Sequence, residues 1–362
     1  MRHALRNPAI VLTLSATLAG GGLFLVPSER SLCFALAGVV LGLGLLIYGA
    51  DWLVRGAVRL ARTLGVSPFV IAVTVVAFGT SAPELAASIG ATLKQEGEIA
   101  IGNVIGSNVA NLLLILGVTG VIRLTRVPRS IVVVDTPILL GITCLASLAL
   151  LDTVIFGPDV EPVVSRLDGA LLTIGLVGFV AYNAITGKVD PAEVEEETSI
   201  DIRSSEERPT FRGVLINLGL ILLGLAGLVG GAHLLVEGAQ YTATRFNVPK
   251  EVIGLTVVAI GTSIPELAFS IRAAQHDHGE LILGNVLGSN VFNLLCVLGL
   301  AALVDPIKIP EAAASRDIWF MIGTSFLIWI VFVLRRRLAR PEGVALLLLY
   351  VAYTAVVLTP SR

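Results

Sequence analysis

Long runs of apolar residues constrain this chain more than any other feature of its sequence. A helix that crosses a lipid bilayer needs about 20 mainly apolar residues. The qualifying stretches lie near residues 8–26, 32–60, 66–93, 97–122, 130–151, 167–187, 212–243, 250–275, 280–303, 316–334 and 341–359. The runs are continuous rather than alternating, which favours helices over a β-barrel, because backbone groups cannot stay unpaired in lipid. The sequence therefore predicts an all-α polytopic membrane protein.

Composition excludes several other classes of protein. Only 14% of the residues are charged, whereas soluble domains carry about 25%, so a soluble enzyme, a disordered scaffold and a secreted disulfide protein are excluded. The net charge of −2 provides no basic field for nucleic acid. Cys33, Cys144 and Cys296 are far apart in apolar stretches, which predicts packed, unreactive thiols rather than a zinc site or a disulfide framework.

The distribution of Lys and Arg predicts the orientation in the membrane, because cytoplasmic loops carry an excess of both. If the N-terminus is cytoplasmic, Arg123, Arg126, Arg129 and the run Arg335–Arg340 all fall on the cytoplasmic side. The acidic stretch Asp152–Glu161, which has no Lys or Arg, then lies outside with the C-terminus.

The apolar stretches divide the chain into four predicted segments. Residues 1–31 form an N-terminal transmembrane or signal-anchor segment; a cleaved signal peptide is the alternative, but no clean small-x-small cleavage site follows its apolar core. Residues 32–187 and 212–362 form two membrane domains. Between them lies an acidic cytoplasmic linker at 188–211, which could bind a regulatory cation, although a solvated linker is favoured.

The two membrane domains contain an internal repeat. Residues 74–117 align without a gap to residues 256–299, with 28 identities in 44 positions that include Gly, Pro, Glu, Ser, Thr and Asn. Matching stretches are five spans apart, and five is odd, so the two copies must face opposite ways across the membrane. The sequence thus predicts two inverted five-helix repeats in a ten-helix core, plus one extra N-terminal helix. Many secondary transporters have inverted repeats with a central site.

The first shared motif places a carboxylate near the middle of an apolar stretch. It reads Gly79–Glu84 in the first copy and Gly261–Glu266 in the second, with Pro one residue before each Glu. A charge at that depth costs about 2.5–3.5 kcal/mol on insertion scales, so two matched carboxylates need a functional reason. Proline breaks the helix and frees a carbonyl, and broken helices at membrane depth line cavities.

The second shared motif adds neutral oxygen atoms and small residues. It covers Gly102–Asn111 and Gly284–Asn293. A serine and an asparagine share one helix face in each copy, and the glycines allow close helix approach. Together the motifs offer only oxygen ligands, which suit Ca²⁺ and Na⁺ rather than zinc or copper. The two carboxylates match the charge of one Ca²⁺.

These paired motifs resemble the alpha repeats of the cation/calcium antiporter family, and most closely its prokaryotic sodium/calcium exchangers. The resemblance implies exchange of Ca²⁺ for Na⁺ by alternating access, in a bacterial or archaeal cell membrane, with no catalysis, no cofactor, no nucleic acid and no obligate protein partner. It implies that Glu84 and Glu266 bind Ca²⁺ with the carbonyls of Thr80 and Thr262. It further implies sodium ligation by the Ala77 carbonyl, Thr80, Ser81 and Ser107, and by the Ala259 carbonyl, Thr262, Ser263 and Ser289, with Asn111 and Asn293 lining the centre. Some relatives carry Asp at one of those last two positions, so Asn at both makes potassium coupling less expected.

Other functions stay open at this stage. A transporter of the same fold could couple Ca²⁺ to protons, or carry another divalent cation. An intramembrane hydrolase with Ser81 or Ser263 as nucleophile would need two active sites and has no accompanying Lys or His. A channel is the third alternative.

Some polar residues have plainer interpretations. Asn103 and Asn285 are expected to join helices, and Asn108 and Asn290 to be structural. Asp51 and His233 occupy matched positions and are expected near the membrane interfaces, and the loop His276–His278 is expected to be solvated rather than a metal site.

Overall fold

The computed structural model describes residues 32–150, 163–186, 211–246, 261–311 and 313–358. The first half contains helices α1 (Leu32–Leu64), α2 (Pro68–Thr80), α3 (Ala82–Leu93), α4 (Gly97–Ile122), α5 (Ile131–Ala149) and α6 (Arg166–Thr186). The second half contains α7 (Phe211–Arg245), α8 (Ile264–Gln275), α9 (Gly279–Val304), α10 (Ala313–Arg335) and α11 (Arg340–Leu358).

The helices confirm an all-α polytopic membrane fold. Within the described ranges, eight helices are long and apolar enough to span a bilayer, and the bent pair α2–α3 makes a ninth span. The predicted stretch at 250–275 is represented by α8, and its first part lies outside the described residues, as does the predicted extra helix at 8–26. The linker at 188–211 also lies almost wholly outside them. The full count of ten core helices and the four-segment division therefore stay predictions.

The first motif breaks its helix where the proline predicts. Helices α2 and α3 meet at an angle of 41°, and the junction residue Ser81 has φ −82° and ψ 6°. Pro83 lies in the first turn of α3, where its missing N–H removes no helical hydrogen bond. In the second copy Ser263 has φ −87° and ψ 6°, immediately before α8. Both copies of the motif therefore begin a helix, and the first copy also ends α2.

The second motif in each copy leads into a π-helical turn. These turns cover Ala110–Ile115 in α4 and Asn293–Val297 in α9. A further matched pair covers Ile131–Asp135 and Ala313–Asp317 at the starts of α5 and α10. Single π-helical turns often mark functional sites, and their recurrence indicates that the repeat extends to details of the backbone.

Helices α4 and α9 are antiparallel, which confirms the inversion of the repeat. The Arg123 guanidinium binds both carboxylate oxygens of Asp277, at 3.0 Å and 2.6 Å, and so joins the end of α4 to the start of α9. Gln95 Nε2 donates to Asp305 Oδ2 at 2.8 Å and joins the start of α4 to the end of α9. Asp277 and Asp305 lie 182 positions after Gln95 and Arg123, respectively, so the two contacts are mirror equivalents.

Two short antiparallel sheets reinforce the same ends. Strand β1 (Thr125–Arg126) pairs with β4 (Arg337–Leu338), and β2 (Val163–Val164) pairs with β3 (Ile307–Lys308). Each sheet joins the first half of the chain to the second. We call the end that carries Arg123, Arg126 and Arg335–Arg340 the basic end, and the end that carries β2 and β3 the opposite end.

Glycines let the two halves pack backbone to backbone. A Cβ atom on Gly42 of α1 would lie 2.7 Å from the Gly231 carbonyl oxygen of α7, so only glycine fits this crossing. Likewise, Cβ atoms on Gly284 and Gly288 of α9 would lie 2.7 Å from backbone oxygens of α2. The close approach predicted for the second motif is therefore present in α9, and it brings this helix against the first half of α2.

One prediction about the cysteines is wrong. Cys296 is buried in α9, as expected, but Cys144 is exposed on the outer face of α5. An apolar stretch in a membrane helix presents part of its surface to lipid, so apolar neighbours in the sequence do not imply a packed thiol. The side chain of Cys33 lies outside the described residues.

Candidate ion-binding site

The two motif carboxylates are buried at the starts of equivalent helices. Glu84 lies in the first turn of α3 and Glu266 in the first turn of α8, and each is 1% exposed. A helix N-terminus stabilises negative charge through its unpaired N–H groups and its dipole. The break at Ser81 or Ser263 creates that N-terminus within the protein interior, and this explains how a carboxylate is tolerated there.

The repeats exchange hydrogen bonds across their interface. The Ser81 hydroxyl donates to Glu266 Oε1 at 3.1 Å, and the Ser263 hydroxyl donates to Glu84 Oε1 at 3.3 Å. Each serine therefore contacts the carboxylate of the other copy rather than the one on its own helix. Since Ser81 lies one turn from Glu84, these crossed contacts bring the two carboxylates to one site between the halves.

The motif threonines are held by asparagines of the opposite copy. The Thr80 hydroxyl lies 3.2 Å from Asn285 Oδ1, and the Thr262 hydroxyl lies 3.4 Å from Asn103 Oδ1. Asn103 also donates to the Glu84 carbonyl at 3.1 Å. The asparagines thus join helices, as expected for them, and Asn103 also fixes the motif backbone beside Glu84.

The remaining predicted ligands show a departure from symmetry at the site. Asn293 donates through Nδ2 to the Ser107 hydroxyl at 2.9 Å. The mirror-equivalent pair, Asn111 and Ser289, is equally buried, but no such contact is recorded between them in the described structure. Asn111 and Asn293 both lie in the π-helical turns.

Most buried oxygen atoms without a hydrogen-bond partner belong to these motifs. Among the described side chains they are Glu84 Oε2, Glu266 Oε2, Asn111 Oδ1, Asn293 Oδ1, Ser289 Oγ, Asn108 Oδ1 and Asn290 Oδ1, with Ser147 Oγ of α5 as the exception. An unpaired buried polar atom costs about 1–3 kcal/mol. Oxygen atoms left unpaired together are what a hard cation would bind.

Two of these oxygens belong to residues that the sequence had assigned to structure. Asn108 and Asn290 donate to the carbonyls of Val104 and Val286, at 2.8 Å and 2.7 Å. Each amide is therefore fixed by its own helix, while its Oδ1 atom has no partner. Both residues lie one position away from the predicted ligand face, so the sequence did not indicate that their Oδ1 atoms would be buried without a partner.

The carbonyl ligands implied by the family resemblance are only partly described. Ala77 is buried, and its carbonyl accepts from the Ser81 N–H at 3.0 Å and the Thr80 hydroxyl at 3.4 Å. The mirror-equivalent Ala259 lies outside the described residues. Every other predicted ligand is described, and the contacts above connect most of them across the two copies.

The loop at His276–His278 is exposed or partly exposed, as expected from the sequence, and it also forms ion pairs. His276 Nε2 lies 3.1 Å from Asp51 Oδ1, and Asp277 is held by Arg123. Within the described residues, no group of three or more His, Cys, Asp or Glu side chains could hold a metal ion. The sequence did not indicate these ion pairs, because the partners Asp51 and Arg123 lie far away along the chain.

Asp51 and His233 have different environments despite their matched positions. Asp51 is buried and forms ion pairs with Arg55 at 2.7 Å and Arg272 at 2.9 Å. His233 is exposed and lies 3.3 Å from Glu237. The matched positions therefore differ in their contacts, and their location near the membrane interfaces stays a prediction.

The family follows from a direct comparison with known proteins. A family model described as "Sodium/calcium exchanger protein" matches residues 34–185 and 216–359. The chain belongs to this family. The exchanger is 36% identical over 319 residues to the "Putative antiporter CaxA" of Alkalimonas amylolytica, covering 87% of this chain and 96% of the relative. It is 33% identical over 344 residues to the "Sodium/calcium exchanger MaX1" of Methanosarcina acetivorans, covering 88% and 97%.

Solved structures agree with this membership. A structure of the sodium-calcium exchanger NCX_Mj, soaked with 10 mM Na⁺ and zero Ca²⁺, superimposes with a TM-score of 0.77 at 30% identity. The match covers 90% of this chain and 99% of that chain. The resemblance drawn from the two motifs is therefore confirmed, and the exchanger is a membrane antiporter.

Proposed function

We propose that this exchanger moves Ca²⁺ out of the cytoplasm in exchange for Na⁺, by alternating access to the site between the repeats. The observation that carries the proposal is the crossed pair of carboxylates, each with one oxygen on a serine of the other repeat and one oxygen unpaired. A buried pair of like charges is unfavourable without a counterion, since burial removes the screening by water. A divalent cation supplies that counterion.

The chemistry of the surrounding atoms supports calcium and sodium as the substrates. Ca²⁺ takes six to eight oxygen ligands in flexible geometry, whereas thiolate and imidazole ligands suit other metals. The proposed calcium ligands are Glu84 and Glu266 with the carbonyls of Thr80 and Thr262. The proposed sodium ligands are the carbonyls of Ala77 and Ala259 with Thr80, Ser81, Ser107, Thr262, Ser263 and Ser289, while Asn111 and Asn293 line the centre.

The crossed hydrogen bonds suggest why the two ions exclude each other. A serine that donates to a carboxylate oxygen neutralises part of its charge, and a cation at that oxygen must displace or reorient the hydroxyl. The same serines are proposed sodium ligands. Na⁺ at these serines would therefore alter the hydrogen bonds of the carboxylate oxygens that bind Ca²⁺, so that the two ions compete for one site, as exchange requires.

The inverted arrangement supports access from both sides. Because α4 and α9 are antiparallel and contribute equivalent residues, the site presents the same chemistry toward either end of the protein. We place the exchanger in the inner membrane of a bacterial or archaeal cell, with the basic end in the cytoplasm in accordance with the excess of arginine there. The N-terminus would be cytoplasmic and the C-terminus external. Transport needs no covalent step, no cofactor and no protein partner.

Reconstituted vesicles provide the test. Purified exchanger is placed in vesicles loaded with Na⁺, which are diluted into Na⁺-free medium containing radiolabelled Ca²⁺, with protein-free vesicles as the control. We expect Ca²⁺ uptake that requires the outward Na⁺ gradient and that an imposed pH difference does not replace. Uptake that ignores Na⁺ but follows the pH difference would reject sodium coupling in favour of proton coupling, and single-channel conductance would reject exchange altogether.

A further inference from the structure

A basic cavity separate from the proposed ion site lies at the basic end. It has a volume of about 210 Å³ and lies between the end of α1 and the loop that connects α8 to α9. Its lining consists of Val54, Arg55, Val58, Arg59, Arg62, His276 and His278. One water molecule occupies about 30 Å³, so the cavity has room for a tetrahedral oxyanion with ordered water.

The three arginines of the cavity share one face of α1. Arg55, Arg59 and Arg62 are spaced at four and three residues, which places them one above another along the last turns of the helix. Like charges at this spacing destabilise a helix. His276 and His278 approach the same space from the facing loop. The arrangement concentrates positive charge without an obvious structural benefit.

The neighbouring carboxylates neutralise only part of this charge. Asp51 already accepts from Arg55, Arg272 and His276. Asp277, which lies between the two histidines in the chain, binds Arg123 instead. In the part of the chain that the structure describes, no ion pair is recorded for the side chains of Arg59 or Arg62.

The basic residues of the cavity are not repeated at the mirror-equivalent positions, so they are not a consequence of the internal repeat. Shifting by 182 residues replaces Arg55, Arg59 and Arg62 with Glu237, Tyr241 and Thr244. The same relation replaces His276 and His278 with Lys94 and Glu96. The opposite end therefore carries mixed charge at the positions where the basic end carries three arginines and two histidines.

We propose that this cavity binds a phosphate group. Guanidinium groups present a planar set of donors that matches phosphate oxygens in paired hydrogen bonds, and an anion held between α1 and the facing loop would relieve the repulsion among the arginines. The cavity lies where α1 leaves the membrane, so the phosphate can come from an anionic lipid headgroup or from a free phosphate ion. In either case the bound group joins α1 to the start of α9.

Binding measurements on the full-length exchanger test this proposal independently of transport. In detergent, equilibrium dialysis with radiolabelled inorganic phosphate measures the free ion. Native mass spectrometry after exchange into mixed micelles of phosphatidic acid and phosphatidylcholine measures the lipid. The test variant is Arg59→Gln/Arg62→Gln. The matched control is Arg126→Gln/Arg336→Gln, which removes two arginines from the same end but outside the cavity.

We expect the wild type to bind one of the two probes saturably, and the test variant to lose at least about tenfold in affinity, because charge-assisted hydrogen bonds are removed. The control should stay within about twofold of the wild type. Phosphate binding identifies a soluble ligand, and selective retention of phosphatidic acid that free phosphate does not displace identifies a lipid. If the double variant does not fold, the single variant Arg62→Gln replaces it as the test variant. The proposal fails if the wild type binds neither probe, or if the two double variants lose binding equally.

Discussion

The two repeats supply the same residues at the centre of the exchanger and different residues at its ends. At the centre, Ser81 and Ser263 bind the carboxylates of the opposite copy at 3.1 Å and 3.3 Å. At the ends of α1 and α7, the basic cavity faces one side, and its mirror-equivalent positions hold Glu237, Tyr241 and Thr244.

This difference separates two kinds of constraint. A cation that must be reached from either side requires equivalent oxygen atoms from both copies, so the centre stays symmetric. The ends face different compartments and are subject to the bias of Lys and Arg toward the cytoplasm. The symmetric residues at the centre are therefore those of the proposed transport site. The residues that differ between the two ends indicate functions specific to one side of the membrane.

The largest expected effect concerns the central carboxylates. Glu84→Gln and Glu266→Gln should each lower Na⁺-driven Ca²⁺ uptake by about 100-fold or more, since removing one charge from a buried, compensated set costs about 3–5 kcal/mol. The central symmetry predicts that the two variants are equally affected. Uptake of radiolabelled Ca²⁺ into Na⁺-loaded vesicles measures the effect.

Glu98→Gln is the matched control for these variants. Glu98 is exposed at the start of α4 and should leave uptake unchanged. Normal uptake by either central variant would contradict the proposed calcium ligands, and a large difference between the two would contradict the functional equivalence of the repeats.

The second effect concerns stability at the ends. Asp51→Ala should lower the free energy of unfolding by about 2 kcal/mol, because it removes the carboxylate that pairs with Arg272 at a partly buried position. The mirror variant His233→Ala removes only an exposed contact and should cost about 0.5 kcal/mol or less. Denaturant unfolding in detergent measures both. Equal losses would mean that the ends are more alike than their contacts indicate.

The sequence was sufficient to predict the symmetric part of this structure. The 182-residue offset predicted the inversion, which the contacts Gln95–Asp305 and Arg123–Asp277 confirm. The Pro-Glu pairs predicted the helix breaks at Ser81 and Ser263. These predictions succeeded because a repeated motif constrains local backbone geometry and relative orientation together.

The sequence could not predict contacts that depend on tertiary placement. Helical spacing placed Ser81 on the same face as Glu84, whereas its hydroxyl binds Glu266 of the other repeat. Nothing in the sequence near Asp51 indicated its ion pairs with Arg272 and His276. Such partners lie more than 180 residues apart, and no local pattern specifies which of several polar groups meet across packed helices.

A smaller effect should come from the central serines. Ser81→Ala and Ser263→Ala each remove one hydrogen bond to a carboxylate, a loss of about 1 kcal/mol. We expect about a fivefold increase in the Na⁺ concentration that half-inhibits Ca²⁺ binding, equal in the two variants. Ser147→Ala, which removes a buried hydroxyl of α5 that has no recorded partner, is the control. Unequal shifts in the two serine variants would place sodium mainly on one repeat.

The smallest effect concerns pH at the basic cavity. Burial, together with the nearby His276 and Arg62, lowers the pKa of His278 below its usual value, and Asp277 only partly opposes this. A bound anion favours the charged imidazole and raises that pKa, so affinity for the anion should increase as pH falls. Sulfate keeps its charge over this range, and its affinity should rise about threefold between about pH 8 and about pH 6. His278→Gln should flatten this dependence. If the variant keeps the full pH response, the titrating group is another member of the cavity, and the asymmetry between the two ends does not depend on His278.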